Sequence, residues 1–144
     1  MLFPVAGSKL FIATGELAPA GWTEIRSAES FGTVGVEWEL VDATAVASPH
    51  AEFLKGLMRP HPMQIVLFED FEDAGQVMLW QAARSEENYW FQIRFPVQGA
   101  VQPIRQWRAL VIDMGEAFDG ANSAIKLLAT LQLNSDIERL GETP

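Results

Sequence analysis

The stretch "TVGVEWELVDATAVASPHAEFLKGLM", Thr33 to Met58, decides how the rest of the chain is read. Val34, Val36, Trp38 and Leu40 alternate with Glu37 and Glu39, the period of two that marks a strand with one apolar and one wet face. The alternation stops at Asp42-Ala43-Thr44. From Asp42 to Pro62 the chain is partly apolar but has few features of a core element, and its spacing allows only a brief helical turn at "HAEFLKGLM", closed near Gly56. A well-made half-buried strand thus leads into a long segment with no evident place in a core.

The same alternation recurs downstream. In "NYWFQIRFPV", Tyr89, Phe91, Ile93, Phe95 and Val97 share a face opposite Gln92 and Arg94; in "AIKLLATLQL", Ile125, Leu127, Ala129, Leu131 and Leu133 oppose Lys126, Thr130 and Gln132. These are expected to be antiparallel strands with one buried face. "MQIVLFE" and "WRALVID" are more continuously apolar and are expected to be covered on both faces, and "KLFIA" and "WTEI" make two shorter strands, about seven in all. One helix is expected over 71–84, with Phe71, Ala74, Val77, Met78, Leu79 and Ala82 on its apolar side, Asp70 as N-cap and Arg84 in the last turn. Loops are marked by "ELAPAG", "RPHP", "VQGAVQP" and "GEAFDGANS", and fraying is expected from Glu138 onward. This order of elements gives a mainly β (α+β) fold, an antiparallel β-sandwich or small barrel flanked by one helix, with residues 1–144 as a single domain.

Composition narrows the function. The chain has 144 residues of which 49% are hydrophobic, enough to bury a core without staples. It contains no cysteine, which excludes disulfides, cysteine zinc sites and thiol nucleophiles. The start "MLFPVAGSKLF" lacks the pattern of a signal peptide and no apolar run is long enough to span a bilayer, so a soluble, unprocessed protein with no membrane partner is expected. A formal charge of -9 opposes any sequence-independent grip on nucleic acid. The acidic run "EDFED", Glu69 to Asp73, reads as a solvated helix start.

The chemistry of an enzyme is missing from the sequence. There is no nucleophile elbow, P-loop, zinc-protease helix or dinucleotide fingerprint. His50 and His61 sit beside prolines on a loop-rich segment; with Asp42 and Glu52 they form at most a weak metal set, and surface residues are the expectation. Glu37 and Glu39 share a strand face, a geometry also used by paired carboxylates in glycoside hydrolysis, but a solvated face is the simpler reading. No catalytic residue, metal ligand or cofactor is assigned, and the protein is not expected to be an enzyme. Among the five tryptophans, Trp38 and Trp107 read as core residues, whereas Trp90 opposes the apolar face of its strand and reads as an exposed interface aromatic.

The order of these features resembles the major tail tube proteins of long-tailed bacteriophages and gene transfer agents, which are related to the type VI secretion tube. The resemblance is carried by Trp22 to Ile25, the alternating "GVEWELVDAT", the loop with "EFLKGLM", the apolar strand entering an acidic start, the helix opening "DAGQ", and an aromatic strand ending in Phe-Pro. It runs from about Lys9 to Leu133, and its specificity lies in order and spacing rather than in any one motif. It implies a β-sandwich subunit assembled as hexameric rings stacked into a hollow tube, through which DNA passes without tight binding. The expected partners are further copies of the chain, tail terminator or initiator proteins and a tape measure protein. The expected place is a virion tail or tail-like particle assembled in the bacterial cytoplasm. The segment after the Asp-x-Thr step would then reach a neighbouring subunit through Asp42, Thr44, His50, Glu52, Phe53, Leu54 and Leu57, and Glu37 and Glu39 would face the lumen, where acidic or neutral groups let DNA slide. The competing readings are a small monomeric β-sandwich binding module, which needs an exposed aromatic platform near Trp90, and a hydrolase using acidic residues.

Overall fold

The computed structural model describes residues 1–15, 19 and 21–143; of the loop expected at "ELAPAG", residues 16–18 and 20 lie outside the described residues. In chain order the elements are β1 Lys9–Ala13, β2 Thr23–Ile25, β3 Ala28–Ser30, β4 Val36–Asp42, β5 Phe53–Pro60, β6 Pro62–Phe68, α1 Ala74–Ala83, β7 Tyr89–Arg94, β8 Ile104–Ala117, β9 Lys126–Leu133 and β10 Glu138–Leu140. Eight of the strands form one antiparallel sheet in the order β2-β1-β7-β8-β9-β6-β3, with β10 also on β8. β2 and β3 lie at opposite edges of that order, yet only Arg26 and Ser27 separate them in the chain. The two edges therefore meet at this corner and the sheet curls into a barrel. Ser27 takes φ 65° there, and its carbonyl accepts from Phe68 N at 2.8 Å, which fastens the corner to the end of β6.

Period-two alternation fills the barrel. Leu10 and Ile12, Met63, Ile65 and Leu67, Phe91 and Ile93, Trp107, and Leu127, Ala129, Leu131 and Leu133 are all buried in one cluster, with Leu79 and Ala82 of α1 set against them. Phe91 stacks on Trp107 with ring centroids 6.4 Å apart and planes 16° from parallel, a pair that adds about 0.5–1.5 kcal/mol beyond area burial. The helix begins later than expected. Asp73, not Asp70, is the N-cap and accepts from Gln76 N, while Asp70 closes a turn onto Glu72 N. Asp73 also accepts from Arg26 N, and Gln76 donates to the carbonyls of Arg26 and Phe68, so the helix start is bound to the corner that closes the barrel. Gly75 permits this approach: a Cβ there would lie 2.1 Å from the Glu24 carbonyl. Phe71, expected on the apolar side of the helix, precedes it and is exposed.

Several expectations about individual strands need correction. β6 and the "WRALVID" part of β8 are covered on one face, with Gln64, Phe68 and Ile112 turned outward. The strand buried on both faces is β7: on its outer side the Arg108 guanidinium lies 5.8 Å from the Trp90 ring centroid, and Gln92 bonds to Gln106 at 3.0 Å. Long polar side chains cover this face where the sequence pattern anticipated water. The "RPHP" loop is a single residue, His61, between β5 and β6, and Gly115 to Ala117 continue β8. The end of the chain is ordered as β10, held by Glu142 between Arg105 at 2.7 Å and Arg139 at 2.8 Å. The hydrogen bond from Arg139 chiefly holds the Glu142 carboxyl below its usual range.

Where β6 and β8 finish, two carboxyl groups meet. Partial burial, then the hydrogen bond and the repulsion of Glu116, push Glu69 above its usual range, and Glu69 Oε1 is enclosed without a donor. A carboxyl whose folded-state pKa is raised weakens the fold as pH rises through its ordinary unfolded-chain pKa, and fully so above the raised value, because the unfolded chain ionises at less cost. Glu69→Gln is therefore expected to raise the thermal midpoint at neutral pH. The gain should shrink as pH falls from the raised folded value through the ordinary glutamate range. Melting curves of the two proteins from pH 7 to pH 4 measure it, and a constant offset would show that Glu69 does not titrate differently on folding.

Candidate functional site

β4 and β5 form a separate two-stranded ribbon outside the barrel. Its position follows from its flanks: β3 pairs with β6, β4 pairs with β5, and His61 N donates to the Gly35 carbonyl at 2.9 Å between the two ladders. Ala28 to Phe68 is thus one long hairpin whose base is an edge of the barrel and whose outer part projects. The segment expected as a helical turn, "HAEFLKGLM", is instead mostly the returning strand, since β5 runs from Phe53 to Pro60 and extended pairing with β4 satisfies its backbone. A shift of register between Trp38 and Leu40 sets Gly56 against β4, with its missing Cβ 3.0 Å from Val41 Cγ2.

The tip is tied off by local chemistry. Asp42 accepts from Thr44 N at 2.9 Å, Glu52 N donates to Thr44 Oγ1 at 2.9 Å, and Ala43 N donates to the Glu52 carbonyl at 2.9 Å. The Thr44 bonds hold the Asp42 carboxyl below its usual range. The Asp-x-Thr step therefore ends the ribbon as an Asx turn. His50 lies in this tip with Nδ1 3.0 Å from the Ala51 carbonyl, remote in sequence from His61, whose Nε2 is 3.6 Å from Glu37. Among the described residues no three His, Cys, Asp or Glu side chains converge on a metal position.

Trp38 and Leu40 on one face of the ribbon, and Val41, Leu54 and Leu57 on the face of Glu37 and Glu39, are all largely uncovered. Trp38 and Leu40 alternate with Glu37 and Glu39 as expected, but Trp38 is 45% and Leu40 72% exposed, as are Phe53 at 56%, Leu54 at 61% and Leu57 at 72%. Trp38 is therefore not a core residue; the pattern of a half-buried strand is present, and the half that should be buried is only partly covered within the chain. Monomeric proteins rarely expose contiguous apolar patches beyond a few hundred Å², and a lone two-stranded ribbon is marginal in water. On the charged side Arg59 pairs with Glu39, so the two carboxylates are partly neutralised across the ladder. They do not line a pocket. A cavity of about 890 Å³ lies beside the ribbon base between Phe31, Val36, Trp38, Phe95 and Arg105.

Trp90 is not an exposed aromatic: it is 7% exposed beneath Arg108, which removes the platform that a monomeric binding module was expected to use. The sequence signal for the hairpin was the abrupt loss of core character after Asp42, whereas β5 was hidden by Gly56 and Pro60, residues that weaken any strand reading.

No protein-family model matches the chain. No curated protein sequence matches it. The likeness is one of fold. The tail tube of SPP1 superposes with a TM-score of 0.76 at 14% identity, covering 98% of this chain and 81% of that one. A chain of the anti-feeding prophage (AFP) baseplate gives 0.72 at 13% identity over 98% of both chains, and a chain from the tail of the empty GTA particle gives 0.67 at 18% identity over 94% and 96%. The chain has the fold of tail tube proteins, and the mainly β architecture with one helix is the one that the sequence resemblance implied.

Proposed function

We propose that residues 1–144 form one non-enzymatic subunit that assembles with its own copies into hexameric rings, and that the rings stack into a hollow tube for DNA passage in a virion tail or tail-like particle. The observation that carries this is the uncovered apolar ribbon on a chain with the tail-tube fold. A subunit that leaves so many apolar groups of one element uncovered by its own chain is built to cover them with another. Asp42, Thr44, His50, Glu52, Phe53, Leu54 and Leu57 belong to the assembly element, and Glu37 and Glu39 face the lumen. A net charge of -9 suits a conduit that must not hold phosphates. Tail terminator or initiator proteins and a tape measure protein complete the particle, which is assembled in the bacterial cytoplasm.

Electron microscopy of the purified protein over a range of concentrations tests the reading. Rings or tubes of uniform diameter with six-fold end views are expected. A protein that stays monomeric at millimolar concentration, and remains so when mixed with a lysate fraction containing tail particles, would remove the proposal.

A further inference from the structure

The "RPHP" step, Arg59 to Pro62, joins the projecting ribbon to the barrel, and its chemistry makes a hinge. Pro60 and Pro62 have no backbone N–H, so between Arg59 and Met63 the returning chain has a single main-chain donor, His61 N, which is bonded to the Gly35 carbonyl at 2.9 Å. The junction between the two ladders is thus held by one backbone bond, with a side-chain tie from Gln132 Nε2 to the Pro60 carbonyl at 3.2 Å. The outgoing strand matches it. Gly32 is fixed on the barrel side, with φ 69° and a Cβ position only 2.5 Å from the Gln64 carbonyl oxygen, whereas a Cβ on Gly35 would meet only His61 Nδ1, at 3.7 Å. The chain can therefore turn at Gly35 while Gly32 stays anchored. Room to turn lies beside Val34, Val36 and Trp38, which line the cavity of about 890 Å³ at the ribbon base.

A titratable contact braces this hinge. His61 Nε2 lies 3.6 Å from Glu37 Oε2, at the second rung of the ribbon, and both side chains are open to solvent. Glu37 faces Arg59 directly across the ladder, but Arg59 pairs with Glu39, so His61 is the cation left for Glu37. The neighbouring rungs of β6 and β9 bring only the neutral Gln64, Thr130 and Gln132, and the outgoing strand brings Thr33, Val34 and Gly35. Histidine takes up its proton as pH falls from 8 to 5. At the acid end of that range imidazolium and carboxylate attract across the hinge; at the alkaline end the attraction is gone. A separation of 3.6 Å is too long for a hydrogen bond, so the neutral ring offers no substitute.

We propose that "RPHP" is a proton-operated hinge: protonated His61, held by Glu37, keeps the ribbon at its observed angle, and neutral His61 frees it to swing toward the cavity. The device lies within one chain and does not depend on the tube reading. An exposed ion pair shifts such an equilibrium by about fivefold at most, so pH tunes the fraction of open hinges rather than opening all of them.

Amide hydrogen exchange at residue 61 reads the hinge directly, because this N–H loses its partner when the ribbon swings away from Gly35. After correction for the intrinsic exchange rate at each pH, its protection in the full chain is expected to fall about three- to fivefold between pH 5.5 and pH 8. Glu37→Gln and His61→Gln, both changes at exposed side chains, should each abolish this response and leave residue 61 as weakly protected at pH 5.5 as the native chain is at pH 8. Native protection that stays constant across this range, or a fall of the same size that persists in either variant, would overturn the hinge.

Discussion

Replacing Val41 to Leu54 with Asn-Gly is expected to yield a folded protein that cannot assemble. Leu40 and Lys55 are directly paired across the ribbon, so a two-residue loop closes the shortened hairpin at that rung, and Asn-Gly supplies the type I′ turn whose twist matches the strands. None of the residues removed is buried and none belongs to the core cluster, so the thermal midpoint should hardly change. The assembled state loses far more. Phe53, Leu54 and Val41 would each contribute about 1.5–3 kcal/mol if fully covered by a neighbour, and that gain must offset the several kcal/mol lost when freely moving copies are fixed together. Every copy in a ring carries the same deletion, so symmetry multiplies the loss. Analytical ultracentrifugation beside circular dichroism decides the matter. An unfolded variant would place the ribbon in the folding core, and a variant that still forms tubes would place the assembly element elsewhere.

The parts of the fold that were legible in the sequence are those where one chain supplies both halves of a contact. Leu127, Ala129, Leu131 and Leu133 announce a strand because their partners across the barrel are in the same chain and the period of two is kept intact. β10 and β3 were missed for a simple reason. Each has three residues, too few to display a period, and each is fixed by a partner distant in sequence, β8 for Glu138–Leu140 and β6 for Ala28–Ser30. Trp90 was misplaced because its outward position in the alternation is real, but Arg108 on the neighbouring strand folds over it. Periodicity reports which face a side chain points to, not what lies there. Trp38 shows the converse: its alternation predicts full cover, and the chain leaves it 45% exposed. Under the proposed assembly this mismatch is informative, since the missing cover would come from another copy.

Reversing charge along β4 is expected to have the second large effect, on transport rather than on assembly. Glu37 is 66% exposed at its side chain, and Glu39 is paired with Arg59, so in the native ribbon the acidic side is mildly negative rather than strongly so. The double substitution Glu37→Lys and Glu39→Lys does more than remove two carboxylates. It dissolves the ion pair across the ladder and sets a new ammonium beside the Arg59 guanidinium, leaving the whole row basic from β4 across to β5. Exposed ion pairs contribute only about 0–1 kcal/mol each, so folding and ring formation should survive. Phosphates, however, would meet a basic row repeated in every subunit of every ring. Each phosphate neutralised steepens the salt dependence of binding. Particles built from this variant should therefore assemble to normal length but release DNA slowly, with the rate recovering as ionic strength rises. A carboxylate-specific label applied to closed tubes separates the alternatives: if Glu37 and Glu39 react from outside, the row does not line the channel. The lining would then be the outward face of β6 and β9, where Gln64, Thr130 and Gln132 present neutral polar groups and the charge reversal on β4 should leave DNA release unchanged.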